Sequence, residues 1–191
     1  MFRSLFLGVL ALAVCASAAC SFSIGQQFEY DKATPLITAS NALNTDASKL
    51  LGDALAKYNV IYDAAQKADD PFEELGAKAD DLKKLEPSIE SGKAKLKEAS
   101  QKLDEASKLK LPDWFKQYLT NLSEINKSGS EHADLILQMV KNTYDPSIQS
   151  PEDLDAKQAV VNDKMVVGNK KRDELQAANK KIQEEHKDEL K

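Results

Sequence analysis

A heptad repeat between residues 82 and 106 is the strongest constraint that this sequence places on the fold. Large apolar residues recur at every seventh place, mostly small residues follow three places later, and lysine and glutamate dominate between them. The first series is Leu82, Ile89, Leu96 and Leu103, and the second is Leu85, Gly92, Ala99 and Ala106. Such a seam lets another helix approach closely, as in bundles and antiparallel coiled coils. The partner helix can come from the same chain or from another copy in an oligomer.

The helix that carries this repeat is predicted to cover residues 71–108. Asp70 can cap its start, Pro71 suits the first helical position, and Glu73 occupies the place that a capping box requires. At about 1.5 Å per residue the element is roughly 55 Å long. Pro87 lacks a backbone N–H and clashes with the carbonyl four residues earlier, so we expect a kink there rather than a straight rod.

Two helices on either side of this element are predicted from apolar residues at spacings of three and four. The first begins between Pro35 and Asp46, with an apolar face of Ala47, Leu51, Ala54, Tyr58, Ile61, Ala65 and Ala68. The third follows Pro112, with a stripe of Phe115, Tyr118, Leu119, Leu122, Ile125, Ala133, Ile136, Met139 and Val140. A second capping-box spacing, from Ser128 to Glu131 beside Gly129, allows the third element to break into two helices.

The last helix is predicted to begin at Pro151, where Ser150 provides the cap. Its inward residues are expected to be Leu154, Val161, Met165, Gly168, Leu175, Ala178 and Ile182. Residues 180–191 are mostly charged, so we expect either a solvated overhang or frayed turns.

These patterns predict an all-α protein. Ala and Leu dominate the apolar residues, 30% of the chain is charged, and only 6% is aromatic, which is a helix-forming composition. No strand-like alternation follows the amino-terminal segment. The expected architecture is an elongated bundle of about four long antiparallel helices, which forms a single domain over residues 34–191.

The amino terminus has the layout of a signal peptide over residues 1–19. Arg3 supplies a positive charge, residues 5–14 form a short apolar run, and residues 16–19 are small. The apolar run is shorter than the roughly 20 residues that a membrane-spanning helix needs. Export is therefore predicted.

Ser17, Ala18, Ala19 and Cys20 together resemble the lipobox of bacterial lipoproteins, although Ser17 stands where leucine is usual. The resemblance implies that Cys20 is acylated and that a tether over residues 20–33 links the lipid to the folded body. It also implies a place on the outer membrane or the cell surface. The alternative is ordinary cleavage after Ala18, which would release a periplasmic or secreted protein. Since the other cysteine, Cys15, lies in the signal peptide, the mature chain can form no internal disulfide.

The sequence offers few groups for chemistry. His132 and His186 are the only histidines, and neither has a glutamate three residues before it, so the motif of di-iron bundles is missing. We therefore expect no enzyme, no bound metal and no cofactor. Nucleic-acid binding is also not expected, because the chain has a net charge of −5 and Arg172 is its only arginine after the signal peptide.

Trp114, Phe115 and Tyr118 form the one candidate ligand-binding group, at the start of the third helix. Aromatic residues at the end of a bundle can hold a ligand or anchor a partner. The alternative is packing, in which Phe115 and Tyr118 close the end of the core and Trp114 half-covers them.

Three functions fit these observations. The first is a non-catalytic interaction or structural module, held to a membrane by its lipid, that binds an envelope protein or the cell wall. The second is a holdase-type chaperone, which requires an exposed apolar concavity. The third is a small-ligand or metal-binding bundle.

Overall fold

The structure, a computed structural model, describes residues 28–189, and this part of the chain is helical without any strand. The all-α prediction is confirmed for these residues. The signal peptide, Cys20 and residues 21–27 of the tether lie outside them. The helices are α1 (Tyr30–Ala65), α2 (Pro71–Ala77), α3 (Ala79–Lys83), α4 (Glu86–Ser107), α5 (Asp113–Asn142) and α6 (Pro151–Glu185). None of them is both long and apolar enough to cross a membrane.

The long helices pack in chain order. Helix α4 lies between α1 and α5, and α5 lies between α4 and α6. Residue numbers run in opposite directions along the contact between α1 and α4: Lys95 of α4 pairs with Asp46 of α1, whereas the backbone of Lys110 beyond α4 bonds to Glu29 at the start of α1. Helix α5 is consequently covered on two sides, while α6 is covered on one.

The core contains three apolar clusters: a small one of Ala65, Leu75, Ile148 and Leu154, and two larger ones with a polar layer between them. The first apolar cluster joins the second half of α1 to the start of α4 and includes Tyr58, Leu82 and Ile89. The second apolar cluster joins the start of α1 to the end of α4 and includes Ile37 and Leu103. The buried polar side chains that lie between these clusters along α1, α4 and α5 are Ser40, Asn44, Ser100, Asn126 and Ser128. We call these five residues the polar layer.

The heptad seam is filled within the chain. All eight of its residues are buried, and they pack between α1 and α5. Gly92 provides the closest approach, because a Cβ at this position would lie 2.8 Å from Cγ of Leu51. Small residues in one of the two series therefore allow α1 to lie directly against α4.

The predicted helix over residues 71–108 is divided into three. Its start is confirmed, since the Asp70 carboxylate accepts hydrogen bonds from the backbone N–H groups of Phe72 and Glu73. The kink expected at Pro87 is wrong, because the chain breaks before Glu86 and a new helix begins there. Pro87 is the second residue of α4, where a missing N–H costs no helical hydrogen bond.

The predicted start of the first helix is also wrong, because α1 begins at Tyr30 and residues 30–33 are helical rather than part of a tether. A contact distant in sequence holds this end. The N–H of Glu29 donates to the carbonyl of Lys110 at 2.8 Å, and the Glu29 carboxylate accepts from the Lys110 N–H at 2.9 Å. Burial of Ala33 and Ile37 in the second apolar cluster then extends the helix to this point.

Helices α5 and α6 differ from prediction in detail. Helix α5 continues through Ser128 and Gly129 without a break, because Gly129 packs against the Leu96 side chain. The cap of α6 is confirmed, since Ser150 accepts a hydrogen bond from the backbone of Asp153. Ala178, expected to face inward, is exposed.

Candidate functional site

The predicted aromatic group lies at the end of the second apolar cluster. Tyr118 is only 6% exposed, and Phe115 packs against the same cluster. The two rings stack with centroids 6.1 Å apart, and Tyr30 of α1 lies 5.6 Å from Phe115. The Tyr118 hydroxyl accepts a hydrogen bond from Gln183 of α6 at 2.9 Å. Phe115 and Tyr118 thus occupy the positions that the packing interpretation gives them.

Trp114 packs edge-on against Phe115, with ring centroids 5.3 Å apart, and it also contacts the carboxyl-terminal end of the described chain. Its indole stacks on the His186 ring at 4.4 Å, and its Nε1 donates to Glu189 at 3.2 Å. The same carboxylate pairs with Nδ1 of His186 at 2.7 Å. Most side chains of residues 180–189 are exposed, as expected for a solvated end, but the helix continues to Glu185 and the turn after it is docked on Trp114. A ligand on this face of the indole would have to displace His186.

His186 and Glu189 do not form a metal centre. Among residues 28–189, no three or more His, Cys, Asp or Glu side chains are grouped so that they could hold a metal ion. The carboxylate of Glu189 is used by the indole and the imidazole of its own chain.

Sequence reasoning missed a second histidine contact, between α5 and α6. Arg172 donates a hydrogen bond to Nδ1 of His132 at 3.3 Å, and both residues are partly buried. Burial, together with the positive charge of Arg172, lowers the pKa of His132 to about 4. The imidazole is therefore neutral at pH 7. The only sequence signal was that Arg172 is the sole arginine of the predicted mature chain.

The outer face of α6 carries exposed apolar side chains that the sequence analysis did not single out. Val160 and Val167 are 52% and 71% exposed and lie seven residues apart, which places them on one face of the helix. We call this pair the valine strip; exposed Val166 flanks it. Exposed apolar side chains that share one helix face can mark a place where a partner docks.

A second apolar place on the described surface is an open hollow of about 480 Å³ beside α1. Its lining consists of Ala56, Lys57, Val60, Ile61, Asp81, Lys84 and Leu85. The ion pair between Lys84 and Asp81, at 2.7 Å, lies at its edge. This hollow has the charged side chains of Lys57, Asp81 and Lys84 among its lining residues.

The chain matches no protein-family model, no curated protein and no solved structure. Its function is therefore inferred from its own residues.

Proposed function

We propose that this protein is an envelope-anchored lipoprotein whose helical body is a non-catalytic interaction module, and that it binds a partner protein through the valine strip of α6. The anchoring part rests on the sequence alone, through the signal-peptide layout and the lipobox-like residues that end at Cys20. The binding part rests on Val160 and Val167, which stand exposed on a helix whose other outward residues are mostly charged.

The physical reason is the free energy released when such a strip is covered. Burying one valine side chain fully is worth about 1.5–3 kcal/mol, and two valines on one face can anchor a helix laid along them. Asp163 and Lys164 lie between the two valines in sequence and carry opposite charges, which can select the register of an oppositely charged partner.

The length of the helical body suits a spacer between the membrane and the valine strip. In this proposal the body is an elongated bundle of about four long antiparallel helices, namely α1, α4, α5 and α6. Helix α6 has 35 residues, which corresponds to roughly 50 Å at 1.5 Å per residue. A lipid at Cys20 would then hold the valine strip at a distance from the membrane surface.

The holdase alternative is less well supported. A holdase needs an open apolar concavity, whereas the leucine and alanine seam of α4 is buried between α1 and α5. Binding of the cell wall has no particular observation in its favour, since the aromatic residues that could contact a glycan are packed on their own chain.

Site-specific photo-crosslinking in the native envelope tests the binding part. A photoreactive residue at Val167 should form one adduct of defined mass, and Val160→Lys on the same chain should abolish that adduct. The matched control is the same photoreactive residue at Lys97, which is exposed on α4 and should form no adduct. Equal adducts at both positions, or an adduct that Val160→Lys leaves unchanged, would contradict the proposal.

The intact mass of the protein purified from its native envelope tests the anchoring part. We expect a mature chain that begins at Cys20, carries acyl groups and partitions into detergent. Cys20→Ala should remain unprocessed and stay out of the detergent phase. A plain mass that begins at Ala19 or Cys20 would instead establish a periplasmic or secreted protein.

A further inference from the structure

Helix α6 is anchored in the bundle more firmly at its start than at its end. Its first part, up to Met165, buries apolar side chains in two of the three apolar clusters. From residue 166 to residue 189 only Asn179 is buried. Leu175 and Ile182 pack on the second apolar cluster there, but both stay partly exposed. Helix α5 supports nearly all of this length, since α6 makes few contacts with any other helix. We call residues 166–189 the cover segment.

The contact between Arg172 of the cover segment and His132 of α5 requires a neutral imidazole. Nη2 of Arg172 donates to Nδ1 of His132 at 3.3 Å and to the side-chain oxygen of Asn169. Because arginine can only donate, Nδ1 of His132 accepts and the ring proton resides on Nε2. A second proton on the ring would turn Nδ1 into a donor that faces a donor, and it would place two positive charges at this distance. The bond between the two helices would then become a repulsion.

No carboxylate of residues 28–189 is bonded to either partner of this contact, and none lies within 4.0 Å of the Arg172 guanidinium. The acidic residues that flank the contact are paired elsewhere or exposed: Glu124 pairs with Lys171 at 3.6 Å, Asp134 pairs with Lys93 of α4 at 2.5 Å, and Glu131 and Asp173 are exposed. The charge of Asp173 offsets the effect of burial on the pKa of Arg172 only in part. Burial lowers the pKa of His132, and Arg172 is the one charged group that adds to this shift.

We propose that the cover segment is an acid-sensitive lid on α5, released when His132 takes up a proton. Release would uncover Tyr118 and Asn121, which now hydrogen-bond to Asn179. It would also uncover the side of the second apolar cluster on which Leu175 and Ile182 pack. The first part of α6 stays in place, because its apolar anchors do not involve His132. Acid would thus expose a mainly apolar surface on α5 without unfolding the bundle.

This lid does not require that the valine strip bind a partner. Val167 lies in the cover segment, whereas Val160 lies in the anchored part of α6. Release would therefore separate the two valines while it uncovers α5. Acid would close one interaction surface and open another.

Hydrogen exchange of the mature chain alone, at pH 7 and pH 5, tests the lid. Protection factors are compared, because they divide out the intrinsic pH dependence of exchange. The pKa of His132 is about 4 under the lid, against its ordinary value of 6.5, so protonation favours the released form over this whole interval. The protection of residues 166–185 should accordingly fall about twentyfold between pH 7 and pH 5. Carboxylates of ordinary pKa stay mostly ionised at pH 5 and contribute little.

Two histidine variants assign the effect. His132→Asn should abolish the fall in protection, because the amide oxygen can still accept from Arg172 but does not titrate. The matched control is His186→Asn, which removes the only other histidine of the chain and should retain the fall.

Three results would overturn the proposal: a fall of less than about threefold in the native chain, an equal fall in His132→Asn, or protection of residues 166–185 that equals that of residues 118–137 at pH 5. Circular dichroism establishes that each variant is folded. If His132→Asn is not, the pH profile of the native chain decides. Protection should stay constant between pH 8 and pH 7 and fall about sevenfold between pH 6 and pH 5. A fall that begins only below pH 5, where carboxylates titrate, would count against His132.

Discussion

At the scale of single residues, two glycines on neighbouring helices have opposite roles. Gly92 of α4 faces α1, and a Cβ there would lie 2.8 Å from Cγ of Leu51 and 3.4 Å from the carbonyl oxygen of Ala47. Gly52 of α1 is exposed, and a Cβ there would meet nothing within 4 Å. Only Gly92 is therefore required by packing.

Alanine substitution should separate these roles. Gly52→Ala should raise the free energy of unfolding by about 0.5–1 kcal/mol, because alanine favours the helix and restricts the unfolded chain. Gly92→Ala should lower it by about 1–2 kcal/mol, because the added methyl forces α1 and α4 apart. Urea denaturation of the mature chain measures both. A stabilising Gly92→Ala would show that the two helices do not approach this closely.

His132 should make stability depend on pH. Its pKa falls from 6.5 to about 4 on folding, so between these values the unfolded chain binds the proton and the folded chain does not. The stabilisation is complete above pH 6.5 and is lost as the pH falls toward 4. At 1.36 kcal/mol per pKa unit the loss is roughly 3 kcal/mol.

His132→Asn should remove this part of the pH dependence, since an amide oxygen can still accept from Arg172 but does not titrate. Urea denaturation at pH 7 and pH 4.5 of both chains gives the comparison. The native chain should lose more stability than the variant over this interval, and equal losses would show that His132 is not buried as described.

At the scale of helices, the boundaries that depend on neighbouring residues were predicted correctly from the sequence. The boundaries that depend on contacts distant in sequence were not. The caps at Asp70 and Ser150 were predictable because each depends on residues within three places. The start of α1 was not, because the hydrogen bonds that hold Glu29 reach Lys110, 81 residues away. The break before Glu86 also escaped prediction, since the heptad repeat continues through it.

The candidate site at Trp114, Phe115 and Tyr118 was likewise predictable only where it depends on residues close together in sequence. The sequence placed Trp114, Phe115 and Tyr118 on one turn of a helix, and the structure keeps them at one end of the core. It could not show that His186 stacks on Trp114, or that His132 meets Arg172, because each pair joins residues at least 40 places apart. Such pairs arise from the way α6 folds back along α5.

Helix α6 should be the least protected of the long helices. Between residues 166 and 185 it buries only Asn179, which bonds to Asn121 at 2.9 Å, whereas α5 is buried on two sides. Few buried apolar contacts mean a low free energy of local opening. Hydrogen exchange with mass spectrometry should show peptides from residues 166–185 exchanging at least about tenfold faster than peptides from residues 118–137. Equal protection would mean that α6 opens only with the whole fold.

At the scale of the whole molecule, the filled heptad seam predicts a monomer. The eight seam residues are buried against α1 and α5 of the same chain, so no leucine row remains for a second copy. Light scattering on the mature chain without its lipid should give the mass of one chain across micromolar concentrations. A dimer that survives Val167→Lys would contradict this and would point back to pairing through the seam.

The polar layer between the two apolar clusters should cost stability. The Ser40 hydroxyl is buried without a hydrogen-bond partner in the described chain, so Ser40→Ala should leave the free energy of unfolding unchanged or raise it by up to about 1 kcal/mol. Ser123 is the matched control, because its hydroxyl donates a hydrogen bond to the Asp104 carboxylate at 2.6 Å. Ser123→Ala should lower the free energy by about 1–2 kcal/mol. Thermal unfolding of both variants distinguishes these outcomes.

The stack of Trp114 on His186 turns the only tryptophan of the chain into an optical probe. Its emission reports whether the last turn covers the indole, because undocking of this turn exposes the ring to water while the core stays intact. If the red shift precedes the loss of helical ellipticity during denaturation, the last turn undocks before the core unfolds. A tag fused to the carboxyl terminus would register in the same signal, so the fluorescence spectrum also indicates which end of the molecule can be labelled without disturbance.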